Sequence, residues 1–110
     1  MSPFSVETEQ TESELVVRLI GEFDFSSYEE IDALLTEAQM NGRDDVRLDL
    51  RELTFIDSSG LRVLLRANER ASDIGGRLRL VSGSQAVERI LALTGVGDRF
   101  EFVEGGRVGT

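Results

Sequence analysis

The sequence has no cysteine, no histidine and no tryptophan, and all 12 of its basic residues are arginine. Each absence removes chemistry. A thiolate nucleophile, a Cys or His metal cluster and an imidazole general base all require residues that are missing, so Ser-His-Asp hydrolysis is excluded. Without lysine there is no Walker-type phosphate loop and no Schiff-base amine. No catalytic residue, metal ligand set or cofactor is expected. Carboxylate, hydroxyl, guanidinium and backbone chemistry remain.

Twenty-one Asp and Glu against 12 Arg give a net charge of −9. A field of that sign repels nucleic acid and anionic lipid unless the positive groups are clustered. The arginines are scattered, so protein partners are favoured over nucleic acid or membrane. The lack of cysteine permits a reducing compartment. No apolar run approaches the roughly 20 residues of a membrane span, and Met1 to Gln10 lacks the basic start and apolar stretch of a signal peptide. A cytoplasmic protein is expected. With 110 residues, 40% of them apolar, the chain reads as one domain over residues 1–110, with its core at about 4–103 and a loose Gly-rich tail over 104–110.

Phe4, Val6 and Thr8 alternate with polar residues, as in a half-exposed strand, and Glu9 to Glu14 form a turn. Leu15 to Ile20 is β-branched and almost continuously apolar, so it reads as a more buried strand that Gly21 breaks. Ser26 with Glu29, and Ser27 with Glu30, have the capping-box spacing that opens a helix. Its apolar face is Tyr28, Ile31, Leu34, Leu35 and Ala38, and Asn41-Gly42 stops it. Val46, Leu48 and Leu50 alternate with Arg47, Asp49 and Arg51 in a third strand. A second helix carries Leu61, Leu64, Leu65 and Ala71, with Val63, Ala67 and Ile74 beside them, and ends at Gly75-Gly76. Leu78 to Val81 is a strand, Ser84 caps a third helix bearing Val87, Ile90 and Leu91 that ends at Gly95, and Phe100 to Val103 is a last strand. Strands alternating with helices in so short a chain predict an α/β fold: one mixed sheet of about five strands with helices packed on it.

Between the third strand and the second helix stands Phe55-Ile56-Asp57-Ser58-Ser59-Gly60-Leu61, an apolar run ending abruptly in an acid, two hydroxyls and a glycine. Asp57 or a serine can serve simply as an N-cap, worth about 1 kcal/mol in any helix. A hydroxyl at a helix N-terminus is also a plausible phospho-acceptor, since an added phosphate meets free amides there. The two roles are compatible. Arg62, Arg66 and Arg70 recur every four residues along the same helix, which suits a solvated face.

Five pieces of the chain, in order and at matching spacing, resemble the STAS domain of anti-sigma factor antagonists. They are Gly21-Glu22-Phe23-Asp24, Leu53 to Leu61, Ile74-Gly75-Gly76, the run from Leu80 through Ser84 to Leu91, and Thr94-Gly95. The resemblance implies that Ser58 is the phospho-acceptor, that Asp57, Ser59 and Gly60 form its loop, and that Asp24 contacts the partner from the neighbouring loop. It implies a bacterial, non-enzymatic regulator of transcription. The unphosphorylated form binds an anti-sigma factor that is also a serine kinase, phosphorylation releases that partner, and a serine phosphatase resets phospho-Ser58. Phe25-Ser26-Ser27-Tyr28 departs from the polar, often His-containing residues that follow the family's acidic position, which puts the identity of the partner in question. A monomer is the default expectation. The alternative within the family is a non-switching STAS scaffold, or a ligand-sensing or transport-accessory module. A receiver domain has similar βα alternation, but its phospho-aspartate chemistry relies on a lysine that is absent here.

Overall fold

The computed structural model describes residues 3–105. Five strands, β1 (Phe4–Gln10), β2 (Leu15–Phe23), β3 (Asp45–Ile56), β4 (Arg77–Val81) and β5 (Glu101–Phe102), form a single sheet in chain order. β1 pairs antiparallel with β2, and the remaining neighbours are parallel. The parallel crossovers contain α1 (Tyr28–Met40), α2 (Ser58–Asp73) and α3 (Gln85–Thr94). Right-handed crossovers that always step in one direction place their helices on one face of the sheet. Val17 and Leu19 of β2, Val46, Leu48 and Leu50 of β3, and Leu78 and Leu80 of β4 accordingly share one buried cluster with Ile31, Leu35, Leu64 and Val87 of the helices. The predicted fold class and element order are therefore those observed. Of the loose tail expected over 104–110, residues 106–110 lie outside the described residues, while Gly105 packs against the Arg51 guanidinium.

Three local expectations require correction. Gly21 does not end β2, which runs on to Phe23. Its φ of +96° lets the strand kink where Pro3 crosses it: a Cβ at this position would collide with the Pro3 carbonyl, and the Glu22 N–H donates to that same oxygen at 3.2 Å. The capping boxes of α1 are not formed. Ser27 occupies the N-cap, but its hydroxyl makes no capping bond; it donates to the Glu22 carbonyl and accepts from the Asp24 N–H at 3.0 Å. Ser26 instead donates to the Asp24 carboxylate at 2.6 Å. The Asp24 turn competes successfully for both hydroxyls. Finally, the alternating stretch at 46–51 and the apolar run at 55–56 belong to one strand. β3 advances three residues while β2 advances two from Arg18 to Ile20, and two while β2 advances one from Gly21 to Glu22. Each bulge shifts the phase, so the buried apolar positions run 46, 48, 50, then 53, then 56.

The opposite face of the sheet carries charge. Asp49, only 3% exposed, accepts from the Arg18 Nε at 3.3 Å and from Arg51 at 3.0 and 2.8 Å. Arg18 also reaches Glu7 at 2.9 Å, and Glu14 pairs with Arg47 and Arg79 at 3.0 and 3.5 Å. Burial raises the Asp49 pKa, but the hydrogen bonds from Arg51 and Arg18 outweigh it and hold the carboxyl below its ordinary value. A folded-state pKa below the unfolded one contributes stability above the unfolded value and loses it as pH falls through the folded value. Asp49→Asn is therefore expected to be less stable than the parent at pH 7, by about 1–2 kcal/mol, with the gap closing in acid. Urea melts at pH 7 and pH 3 check this, and an equal gap at both would contradict it.

Candidate functional site

Because β2 and β3 are parallel neighbours, Phe23 pairs with Ile56 and the chain leaves both strands side by side. The loops at Asp24 and Asp57 therefore emerge together at the carboxyl edge of the sheet, where open α/β sheets place their sites. Asp57 joins them. Its Oδ1 accepts from the N–H groups of Ser59 and Gly60 at 2.9 and 3.1 Å, which caps α2, and its Oδ2 accepts from the N–H of Phe25 at 3.2 Å. Its own N–H donates to the Phe23 carbonyl at 3.3 Å. One side chain fixes the start of a helix and the course of a neighbouring loop.

Gly60 is set by close approach. A Cβ there would lie 2.8 Å from the Phe23 carbonyl oxygen, 2.9 Å from the Phe23 ring and 3.0 Å from the Ile56 side chain. Only glycine lets the first turn of α2 press against the end of β2. Ser58 and Ser59 sit on that turn, Ser59 half-buried and Ser58 exposed. Since Asp57 takes the cap, the Ser58 hydroxyl is left out of it and, among the described residues, makes no hydrogen bond.

Asp24 lies on the adjoining loop. Its Oδ1 accepts from the Ser26 hydroxyl at 2.6 Å and the Ser26 N–H at 2.9 Å, which hold the carboxyl below its usual range and keep it ionised. The structure thus brings Asp24, Asp57, Ser58, Ser59 and Gly60 to one edge. It also exposes apolar residues there that residue patterns did not single out. Phe25 is 72% exposed and packs beside Tyr28 with centroids 5.6 Å apart and the rings tilted by 34°. Phe55 and Leu93, 47% and 80% exposed, face a groove of about 380 Å³ between β3 and α3 that Arg89 and Ile90 also line. Phe55 faces out because of the second β3 bulge, between Leu53 and Phe55, and a bulge cannot be read from composition. Among the described residues no helix is long and apolar enough to cross a membrane.

Residues 5–105 match the STAS domain family. The chain belongs to that family. An anti-sigma F factor antagonist of Paenibacillus polymyxa is 32% identical over 92 residues, covering 83% of this chain and 79% of the relative. A solved anti-sigma factor antagonist from Mycobacterium paratuberculosis superposes with a TM-score of 0.82 at 22% identity, over 93% of this chain and 86% of that one, and shows the fold. The Bacillus cell-fate determinant SpoIIAA, solved in its phosphorylated form, matches with a TM-score of 0.73 at 26% identity over 90% of this STAS domain and 91% of its own chain.

The two acceptors of Asp57 can be separated by mutation. Asp57→Ala loses both the cap and the loop bridge and is expected to lower stability by about 1–2 kcal/mol. Asp57→Asn can keep its carbonyl oxygen on the cap while its NH₂ group cannot accept from Phe25. Amide exchange should therefore accelerate at Phe25 in both variants but at Ser59 and Gly60 mainly in Asp57→Ala. Equal protection of Phe25 in the parent and in Asp57→Asn would refute the bridge.

Proposed function

We propose that this STAS domain is an anti-sigma factor antagonist whose binding is switched by phosphorylation of Ser58. The observation that carries the reading is the division of labour at the start of α2, where Asp57 caps the helix and leaves the Ser58 hydroxyl exposed and unengaged among apolar side chains available to a partner. The antagonist names of the similar proteins, and the phosphorylated form of SpoIIAA, support it.

In this reading the unphosphorylated edge, with Asp24, Asp57, Ser58, Ser59 and Gly60 at its centre, binds an anti-sigma factor that is also a serine kinase, in the cytoplasm, which frees the sigma factor for transcription. The Ser58 Oγ attacks the terminal phosphorus of ATP held by the partner. The new O–P bond forms as the bond to ADP breaks, and the hydroxyl proton passes to a base on the partner, since this chain has neither histidine nor lysine. A serine phosphatase reverses the modification. The domain itself is the substrate and performs no turnover.

The charge change is large enough to act as a switch. Phosphate adds about −1.5 to −2 charge beside Asp57 and the ionised Asp24. One unit charge facing a partner carboxylate at ~4 Å costs roughly 4 kcal/mol at intermediate dielectric, and moving a two-state equilibrium from 1:99 to 99:1 takes about 5.5 kcal/mol. Local repulsion is of the required size without any refolding.

Incubation with the cognate anti-sigma kinase and ATP, followed by intact-mass measurement, tests this. The wild type is expected to gain one phosphate, and Ser58→Ala to gain none while still binding. Ser58→Asp should bind at least about tenfold more weakly, equivalent to about 1.4 kcal/mol. No gain on the wild type, or an undiminished gain on Ser58→Ala, would overturn the assignment.

A further inference from the structure

If Ser58 carries a phosphate, the group must settle somewhere among the charges around it. Asp57 is adjacent in sequence, and its two carboxylate oxygens are committed to three backbone amides. Asp24 is held ionised on the loop that Asp57 bridges. Both repel a phosphate. Among the described residues, Arg62 follows Ser58 by four positions on α2, and Arg89 lies on α3 beside the Phe55 groove.

The arginines farther along α2 are already engaged. Arg66 and Arg70 approach Asp32 of α1 at 3.9 and 4.0 Å, and Arg70 also donates to the buried Gln39 amide oxygen at 2.7 Å. Arg62 differs. It is exposed, and among the described residues it has no carboxylate within ion-pair distance. Its neighbours three and four residues away on the helix are Ser58, Ser59, Leu65 and Arg66, so no acid is available to it one turn in either direction. Ser58 stands four residues before it. Residues at i and i+4 are neighbours on a helix surface, and an anion placed N-terminal to a cation is the more favourable order.

We propose that Arg62 is the positioning residue for the phosphate on Ser58: its guanidinium reaches back one helical turn, pairs with the phosphate oxygens, and turns the group along the flank of α2, away from Asp57 and Asp24. The inference rests on the reading of Ser58 as the acceptor. It adds that the phosphorylated state contains an internal ion pair that the unphosphorylated state lacks, so modification consumes an exposed positive charge while adding a negative one. Both changes alter the same docking edge. A guanidinium suits the task because its planar fork can meet two phosphate oxygens at once.

The test installs phosphoserine genetically at position 58 of the full chain, in the parent, in Arg62→Gln and in Arg89→Gln, and follows the phosphate by ³¹P NMR across pH 4–8. Arg62 favours the dianion, so the second pKa of the phosphate is expected to rise by about 0.3 unit in Arg62→Gln, the scale of an exposed i, i+4 ion pair. Arg89→Gln removes the same charge from the other side and should titrate like the parent. The Arg62 Nε–H resonance should also move with the phosphate titration in the parent. An unchanged pKa in Arg62→Gln, or an equal shift in Arg89→Gln, overturns the proposal. Because no kinase is used, this result is separate from the intact-mass experiment, which decides whether Ser58 is the acceptor at all.

Discussion

The carboxylate of Asp57 holds the start of α2 with one oxygen and the loop after β2 with the other. The rest of the edge follows from that arrangement. Were a serine to cap α2, its hydroxyl would be tied to the helix and the loop at Phe25 would lose its tether. With the acid as cap, both hydroxyls of Ser58-Ser59 are spared. The tether also depends on Gly60, because the first turn of α2 can approach Phe23 only where no Cβ intervenes. Cap, bridge and close approach are one constraint expressed at three residues. It fixes an exposed hydroxyl in place without burying it.

The two faces of the sheet divide the remaining work. The helix-covered face supplies an apolar core, whereas the other holds Asp49 and Glu14 under arginine side chains whose apolar stems cover sheet surface while their heads pair with carboxylates. Buried carboxylates are costly alone, and each here is matched by two guanidiniums. With no lysine in the chain, every such contact is made by a group that stays charged throughout the physiological range and offers several donors.

Periodicity revealed the strands, the helices and their order because each amphipathic face repeats at its own interval, and the hydroxyl-bearing turn stood out because it interrupts that pattern. Where two features compete for the same atoms, periodicity fails. Ser26 and Ser27 have ideal capping spacing, yet Asp24, two or three residues earlier, offers their hydroxyls and amides closer partners. Gln39 is a buried polar residue whose partners Ala67 and Arg70 lie 28 and 31 positions away, and Asp49 adds to its near neighbour Arg51 a bond from Arg18 on the adjacent strand, 31 positions away, separations that no local pattern encodes. The bulges in β3 are likewise products of pairing with β2, and through them Phe55 reaches solvent. The candidate site was thus legible in its hydroxyls and acids but not in its apolar rim.

The missing side chains also fit the proposed role. A domain that presents a hydroxyl to a partner's ATP needs no base of its own, and a histidine or lysine beside Ser58 would add a titrating or mobile positive charge to an edge where charge is the signal. Against a net charge of −9, a phosphate of about two units changes the total only modestly. Its leverage comes from position. At ~4 Å the interaction is several kcal/mol, while beyond a Debye length of about 8 Å salt screens most of it. A switch built this way must keep its acceptor within a few ångströms of whatever the partner places opposite, which is what a rigid, capped helix start achieves and a free loop would not.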